Sequence, residues 1–191
     1  MSRLNNMQRH RVFIAINLPE DVKKKLVEYQ KKWPELPVRW TKPDNLHITL
    51  EFLGYVRDEN LINVFETTEK MAKKHKAFDV KLSKICYGPQ NKKPPRMVWA
   101  VGERSEEFTS LKNDLDKALS ISENREFSPH ITLGRIRQWD WRRVEPEERP
   151  EIDEDVNLNF SVDSIEIMES QLKRGGAEYT ILETVPLGQG V

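Results

Sequence analysis

His47-Ile48-Thr49-Leu50 and His130-Ile131-Thr132-Leu133 are two identical tetrapeptides, 83 residues apart (130 − 47) in a chain of 191 residues. Each copy lies in a strand-like segment with a helical segment nearby. An internal repeat is the sequence trace of a duplicated structural unit. The repeat therefore predicts two pseudo-symmetric halves, each of which contributes one histidine and one threonine at an equivalent place.

The strand period of two decides where these side chains point. Within each tetrapeptide the His and Thr side chains leave one face of the strand, and the Ile and Leu side chains leave the other. The polar face then carries an imidazole and a hydroxyl about 7 Å apart, from two rises of roughly 3.4 Å. If the two halves face a common groove, that groove holds two imidazoles and two hydroxyls, while the apolar faces pack against helices.

Two imidazoles beside one groove suit the hydrolysis of a cyclic phosphodiester. The reaction deprotonates a water and protonates the departing ribose oxygen on opposite sides of phosphorus. An ordinary histidine pKa of about 6.5 allows one ring to be neutral while the other is protonated. Thr49 and Thr132 can donate hydrogen bonds to the non-bridging phosphate oxygens. None of these roles requires a metal or a cofactor, and the residues themselves leave open which imidazole is the acid.

Outward from the repeat, the apolar spacing predicts strands mixed with helices, which favours an α+β fold. A change of apolar phase near Asp163-Ser164 predicts a β-bulge or a short turn. Residues 173–176 are typical of a hairpin turn, and residues 138–155 of a surface loop. Strands are predicted at residues 11–17, 38–40, 47–53, 78–87, 97–101, 130–136, 156–162 and 179–183, and helices at residues 21–33, 58–75 and 105–119.

Length and composition predict a soluble, cytoplasmic protein, with residues 1–191 as a single domain and residues 1–10 as a flexible tail. A monomer is expected, although the sequence itself does not determine the oligomeric state. The 31 basic and 31 acidic residues balance, which argues against a large surface for non-specific duplex binding. The single cysteine, Cys86, cannot form an internal disulfide and excludes cysteine-rich zinc motifs. No apolar run has the length of a membrane span.

Several stretches in order along the chain carry a family resemblance: residues 11–19 (RVFIAINLP), 39–40 (RW), 45–54 (NLHITLEFLG), 96–99 (RMVW), 127–135 (FSPHITLGR) and 169–172 (ESQL), with Gly176 and Tyr179. Together they cover nearly the whole sequence. They resemble the two-histidine phosphoesterase superfamily. Within it they look most like the RNA 2′,3′-cyclic phosphodiesterases, also known as the 2′-5′ RNA ligase-like proteins.

The resemblance implies a bilobal α+β fold, in which two pseudo-symmetric lobes of antiparallel sheet, with helices packed outside, flank a central groove. It also implies hydrolysis of RNA 2′,3′-cyclic phosphate ends to 2′-phosphates, with His47 as proton donor and His130 as proton acceptor. Thr49 and Thr132 correspond to the hydroxyls that bind phosphate. Formation of a 2′-5′ RNA linkage, the reverse reaction in the family, is implied as a second activity.

Arg135 is a candidate substrate contact. Strict alternation from His130 directs it away from the groove unless Gly134 twists the strand, so a salt bridge between the lobes is an equal alternative. Glu51 shares the parity of His47 and is expected to face the groove at its rim, where it would orient a basic residue.

Tyr179, Trp40 and Phe13 are aromatic residues in or beside strands, and Tyr179 is a further candidate substrate contact. Stacking on a base or ribose is one interpretation of these residues, but a place in the core is favoured. His10, in the predicted tail, and His75, at a helix end, lack the context of the repeat and are interpreted as structural or exposed. A basic extension of the groove and a solvated charged surface are equal alternatives for a further set: Arg137, Arg142, Arg143, Lys173 and Arg174.

Two competing functions remain open at this point. One is a cyclic phosphodiesterase acting on small cyclic nucleotides instead of RNA ends. The other is a non-catalytic RNA-binding module, which predicts that replacing both repeat histidines changes nothing. A Ser-His-Asp hydrolase is disfavoured because the chain has no Gly-x-Ser-x-Gly motif. A metal site is disfavoured because neither histidine has neighbours at metal-ligand spacing.

Overall fold

The protein, examined as a computed structural model, is described over residues 8–121 and 127–188. Its helices are α1 (Glu20–Gln30), α2 (Asp58–Ala72), α3 (Glu106–Ala118) and the short α4 (Gln138–Trp141), with 3-10 turns at Pro43–Asn45 and Pro146–Glu148. The strands are β1 (Arg9–Asn17), β2 (Val38–Trp40), β3 (His47–Arg57), β4 (Phe78–Gly88), β5 (Met97–Gly102), β6 (His130–Ile136), β7 (Asp153–Val162), β8 (Ser164–Lys173) and β9 (Gly176–Pro186).

The helices follow the predicted apolar stripes and end slightly earlier than predicted. Helix α3 begins after Ser105, whose hydroxyl accepts a hydrogen bond from the Phe108 amide at 3.1 Å, as an N-cap does. Helix α1 ends at Gln30 and not at residue 33, ahead of Pro34. Most of the predicted tail, residues 1–7, lies outside the described residues, but its last two residues already belong to β1.

Nine strands within the described ranges form one antiparallel sheet in the order β7-β4-β5-β6-β3-β1-β8-β9, with β2 paired to β6. The first half of this sheet is β3-β1-β8-β9 and the second half is β7-β4-β5-β6. The halves meet between β3 and β6, where the register gives a single pair, Ile48 opposite Ile131. The α+β prediction is confirmed, and the two lobes are halves of one sheet that are joined by a single residue pair between β3 and β6.

The duplication extends from the tetrapeptide into the register of strand pairing. Ala15 lies opposite Thr49 on β3, and Trp99 lies opposite Thr132 on β6. In both pairs of strands the register then shifts by one residue. The next partners are Ile14 with Glu51 in the first half, and Val98 with Gly134 in the second half. Leu50 and Leu133 are therefore the extra residues of two equivalent β-bulges.

The predicted change of apolar phase near Asp163-Ser164 marks the point where the chain passes from the second half of the sheet to the first. Strand β7 ends at Val162 and pairs with β4, whereas β8 begins at Ser164 and pairs with β1 and β9. The short turn is present as Asp163 alone, and no bulge is involved. The hairpin predicted at residues 173–176 is confirmed, because Lys173 pairs with Gly176.

The prediction of a surface loop over residues 138–155 is right for most of its residues, which are exposed, but it misses α4, the start of β7 and two buried side chains. Trp141 of α4 is only 3% exposed, and its ring contacts Tyr87 with centroids 5.5 Å apart. The Arg149 guanidinium lies 5.3 Å from the same ring, and Ile152 is buried. The stretch packs because Trp141 and Ile152 supply apolar surface within a charged sequence, and β7 then begins at Asp153.

A single hydrophobic core fills the space between the sheet and its helices, with Leu26, Phe108, Leu111, Ile131 and Ile167 among its most buried members. On the opposite face of the sheet, the buried apolar cluster formed by the described residues is small and consists of Phe13, Ala15 and Met168, with Tyr179 packed against it. That face is therefore available for polar groups. Within the described ranges no helix has the length and apolar character needed to cross a membrane.

Candidate active site

The bridge between Ile48 and Ile131 brings the two tetrapeptides side by side. Both isoleucines are fully buried on the core face, so their neighbours in each strand project from the opposite face. Antiparallel register then places His47 beside Thr132, and Thr49 beside His130. All four polar side chains are half-buried. They lie together on the one face of the sheet that the helices do not cover.

The two imidazoles occupy diagonal corners of this arrangement. Diagonal neighbours on antiparallel strands are separated by about 7–8 Å, which is wide enough for a phosphate group. The two threonine hydroxyls occupy the other diagonal. The repeat predicts that two remote histidines come together, and the Ile48–Ile131 pair places them on neighbouring strands and on one face of the sheet.

A matching hydrogen bond orients each imidazole. His47 Nδ1 lies 2.8 Å from the Asn45 carbonyl oxygen, and His130 Nδ1 lies 2.8 Å from the Ser128 carbonyl oxygen. A carbonyl oxygen only accepts, so each Nδ1 carries the hydrogen and each Nε2 is the atom that exchanges a proton. His47 Nε2 lies 3.0 Å from Thr49 Oγ1, which donates to it when the ring is neutral.

Burial lowers the pKa of both histidines. For His47 the pKa falls to about 4, because burial disfavours the charged ring and the positive charges of His130 and Arg135 add to this, against the Asn45 hydrogen bond. For His130 burial also lowers the pKa, opposed by the hydrogen bond to Ser128. Both pKa values therefore lie below the ordinary value for histidine.

Aromatic rings line the groove at both histidines. Trp99 stacks on His130, with ring centroids 3.9 Å apart and an interplanar angle of 26°. Phe13 and Tyr179 flank His47 at centroid distances of 5.1 and 5.2 Å. Phe13 is buried as the sequence predicts, yet it forms part of the site, and Tyr179 is half-buried in the groove wall. Trp40, by contrast, packs against the main core.

The two bulges place Glu51 and Arg135 on the faces opposite to those that strict alternation gives. The extra residue at Leu133 returns Arg135 to the groove face, where its Nη1 lies 3.5 Å from Met97 Sδ. Thr132 Oγ1 approaches the same sulfur at 4.0 Å, so Arg135 and Thr132 share a face. No salt bridge links Arg135 to a carboxylate anywhere in residues 8–121 and 127–188, and the bracing alternative is therefore wrong.

The equivalent bulge at Leu50 turns Glu51 into the core, and the prediction that it faces the groove is wrong. Glu51 is 3% exposed and forms an ion pair with Lys112 of α3. The Lys112 ammonium also donates to Asp116 at 2.8 Å. Burial raises the pKa of Glu51 to about 7, and the Asp116 carboxylate adds to the rise while Lys112 opposes it.

A helix from each half supports the bulge of the other half. Helix α3, which lies between β5 and β6 in the chain, presents Lys112 to Glu51 behind β3. Helix α1, which lies between β1 and β3, presents Gln30, whose Nε2 donates to the Leu133 carbonyl of β6 at 3.0 Å. Both supporting side chains are buried. These cross-contacts fix the spacing of the two histidine-bearing strands.

The remaining histidines are structural. His10 lies in β1 and not in a tail, with Nδ1 2.6 Å from Glu169 and Nε2 2.6 Å from Asp58. His75 Nε2 lies 3.1 Å from Asp114 and joins the end of α2 to α3. Within the part of the chain that the structure describes, no group of three or more His, Cys, Asp or Glu side chains is placed to hold a metal ion.

Sequence reasoning assigned no site role to Trp99 and to Phe52. Phe52 is 68% exposed and pairs with Phe13, in the position equivalent to Arg135. The repeat itself contained the signal: residues at equal offsets from His47 and His130 occupy equivalent places. Two of the basic residues considered as an extension of the groove contact a nearby acid: Arg137 contacts Asp140, and Lys173 contacts Glu178. These contacts do not decide between a basic extension of the groove and a solvated charged surface.

Comparison with known families accounts for the duplication. The sequence model described as "LigT like Phosphoesterase" matches this chain over residues 16–99 and again over residues 101–179, with one tetrapeptide in each match. The chain belongs to the LigT-like phosphoesterase family. Its two matched segments each include one of the two histidine-bearing strands.

Relatives within the LigT-like family cover most of the chain. The "RNA 2′,3′-cyclic phosphodiesterase" of Thermus thermophilus is 32% identical over 193 residues, which span 93% of this chain and 90% of the relative. That of Methanocaldococcus jannaschii is 27% identical over 177 residues, spanning 91% and 98%. The crystal structure of E. coli LigT complexed with 3′-AMP has a TM-score of 0.77 at 26% identity, covering 95% of this chain and all of that one.

Proposed function

We propose that this protein hydrolyses RNA 2′,3′-cyclic phosphate ends to 2′-phosphates by paired acid–base catalysis without a metal. The observation that carries the proposal is the diagonal placement of two histidines, each with Nε2 as its proton-exchanging atom, across two threonine hydroxyls. The names of the T. thermophilus and M. jannaschii relatives support the substrate. Relatives solved with 3′-AMP and ATP support nucleotide binding by this fold.

The groove assigns one task to each side chain. His130 Nε2 accepts a proton from a water whose oxygen attacks phosphorus. His47 Nε2 donates a proton to the ribose 3′ oxygen as its bond to phosphorus breaks, which leaves the phosphate on the 2′ oxygen. Thr49 and Thr132 donate hydrogen bonds to the non-bridging oxygens, where negative charge grows in the transition state.

The low pKa of His47 is compatible with its role as donor. The value of about 4 results from burial and from the neighbouring protein charges. A bound phosphodiester brings a negative charge beside the ring, and an opposite charge at this distance favours the imidazolium. Substrate binding therefore recruits the proton that the reaction uses. With an RNA 5′-hydroxyl in place of water, the same two proton transfers form a P–O5′ bond, break the P–O3′ bond and leave a 2′-5′ linkage, so we include weak 2′-5′ ligation in the proposal.

The decisive assay follows an RNA oligonucleotide ending in 2′,3′-cyclic phosphate, in the presence of EDTA, with product regiochemistry resolved. We expect His47→Ala and His130→Ala each to reduce kcat/KM by 10²–10⁴-fold, on the order expected for general acid–base catalysis. His75→Ala serves as the matched control, because this histidine binds Asp114 outside the groove. Full activity in either groove variant, a 3′-phosphate product, or loss of activity in EDTA would refute the proposal.

A further inference from the structure

The indole of Trp99, on the strand next to β6, lies nearly flat against the imidazole of His130. The ring centroids are 3.9 Å apart and the ring planes are inclined by 26°. In the pairing of β5 with β6, Trp99 is opposite Thr132, whereas the residue opposite His130 is Val101. The indole therefore extends along the sheet from the threonine to the histidine, and its face covers one side of the His130 ring.

A glycine on the next strand provides the space that this indole occupies. Gly88 of β4 is paired with Met97, two residues before Trp99 on β5. A Cβ added to Gly88 would collide with the Cδ2, Cε2 and Cε3 atoms of the indole, so the six-membered ring lies directly over the glycine. The indole Nε1 is buried and makes no hydrogen bond within residues 8–121 and 127–188. Packing, and not a hydrogen bond, therefore holds the indole in place.

The other half of the sheet has a different arrangement around its histidine. Ala15, which is opposite Thr49, occupies the place equivalent to Trp99 and carries only a methyl group. His47 meets Phe13 at an interplanar angle of 39° and Tyr179 at 85°. Of these three ring contacts, the one at His130 is the closest to parallel. The duplication thus preserves the place of each histidine in its strand but not the ring beside it.

A parallel indole favours a positive charge on the His130 ring, because the face of an aromatic ring is negative and attracts a cation within about 6 Å of its centroid. Other charged or titratable groups share the groove face on β6 and nearby strands: His47, Arg135, Arg39, Lys84 and Asp153. Asp153, the one acid among them, is bound to Lys84 at 2.5 Å. Burial lowers the pKa of His130, and the Ser128 carbonyl opposes that effect. The indole face acts in the same direction as the Ser128 carbonyl.

The indole also limits how far the His130 ring can tilt. His130 Nδ1 is held by the Ser128 carbonyl oxygen at 2.8 Å. In the part of the chain that the structure describes, His130 Nε2 makes no hydrogen bond, whereas His47 Nε2 lies 3.0 Å from Thr49 Oγ1. A ring held at one nitrogen can still rock about that hydrogen bond, and the flat contact with the indole opposes this motion. Nε2 then keeps a fixed direction and stays open to a water.

These contacts suit the histidine that gains a proton during the reaction. In the proposed hydrolysis, His130 Nε2 takes a proton from water as the water oxygen bonds to phosphorus, and the ring becomes an imidazolium. His47 gives its proton to the ribose 3′ oxygen as the bond between phosphorus and that oxygen breaks. We propose that Trp99 is a positioning residue that fixes the plane of the His130 ring and favours its protonated form, so that His130 and not His47 is the proton acceptor. This inference rests on the proposed function.

Two variants at Trp99 separate the aromatic face from apolar bulk: Trp99→Leu removes the face, and Trp99→Phe retains a flat ring. For an RNA ending in 2′,3′-cyclic phosphate, Trp99→Leu should lower kcat about tenfold with KM changed less than about twofold, since the threonine hydroxyls still bind phosphate. Trp99→Phe should keep kcat within about threefold of wild type. Trp139→Leu, at a side chain that is 73% exposed on α4, is the control and should change neither constant. Wild-type kcat in Trp99→Leu, or equal loss in both Trp99 variants, overturns the inference.

A proton NMR titration of the imidazoles requires no turnover and so separates this inference from the proposed function. The chain has four histidines, and the His130 resonance is the one that is absent in His130→Ala. The pKa of His130 should be about 0.4–0.7 pH unit lower in Trp99→Leu than in Trp99→Phe, as expected for a cation–π contact at a partly exposed site. The resonances of His10 and His75, outside the groove, show whether each variant is folded.

Equal pKa values of His130 in the two Trp99 variants refute the role of the indole even if the enzyme is active. The expected difference in a protein that lacks histidine-dependent hydrolysis supports the effect of the indole on the ring and refutes only the proposed function.

Discussion

Removal of the Lys112 ammonium is expected to destabilise the fold from directly behind the catalytic strand. Lys112 is 2% exposed and forms an ion pair with Glu51, which is 3% exposed. Asp116, on the same helix, binds the same ammonium at 2.8 Å. Lys112→Met keeps most of the side-chain volume but leaves two carboxylates facing each other without a cation.

The size of the expected loss in unfolding free energy follows from the burial of Lys112 and Glu51. Breaking a buried ion pair by removing one partner costs about 3–5 kcal/mol, because the remaining charge stays desolvated. The free energy of unfolding should fall by that amount at pH 8. The pKa of Glu51 is already raised from 4.5 to about 7, and losing Lys112 removes the one partner that opposes the rise. A raised carboxyl pKa makes stability decline as pH increases above 4.5, by up to about 1.4 kcal/mol per pH unit.

Urea unfolding followed by tryptophan fluorescence, at pH 5 and pH 8, measures both effects. We expect Lys112→Met to lose much less stability at pH 5, where Glu51 is protonated, than at pH 8. The double variant Lys112→Met/Glu51→Gln should recover most of the loss at pH 8, because no buried carboxylate remains at residue 51. A loss below about 1 kcal/mol at pH 8, or an equal loss at both pH values, would show that the reasoning is wrong.

Two other expectations concern ionisation. Burial lowers the pKa of both groove histidines. Both limbs of the plot of kcat/KM against pH should therefore shift to lower pH, with an optimum below about pH 6.5. Arg135→Gln should raise the pKa of His47 and move one limb to higher pH. An optimum above pH 7 in wild type would contradict this. The hydrogen bonds to Glu169 and Asp58 raise the pKa of His10, so its stabilisation is fully present below about pH 6.5 and is lost as pH rises through the raised value. His10→Asn should therefore cost about 1–2 kcal/mol at pH 6 and progressively less as the pH rises, in urea unfolding; a constant cost would argue against a charged His10.

Local pattern was sufficient for the elements and for the central residues of the site. Alternation placed His47 and Thr49 on one face of a strand, and the helical stripes placed α1, α2 and α3 within a few residues of their bounds. These predictions succeed because side-chain direction in a regular strand or helix depends on the local backbone alone.

Pattern failed wherever direction depended on a partner strand. Glu51 was expected on the wrong face and the direction of Arg135 was left open, because a bulge exists only in the pairing of β3 with β1 and of β6 with β5. The stretch around Trp141 was predicted to be a surface loop because its charge obscured two buried apolar side chains. In each case the deciding contact comes from a segment distant in the chain.

The sequence by itself determined that two equivalent strands each carry a histidine and a threonine on one face, since a repeated tetrapeptide with strand periodicity allows no other arrangement. Only the tertiary structure decided that those faces adjoin, through the pairing of Ile48 with Ile131, and that Arg39 and Arg135 meet at the end of the groove. The physical reason is that register between strands is set by long-range packing of the whole sheet, which no single segment encodes.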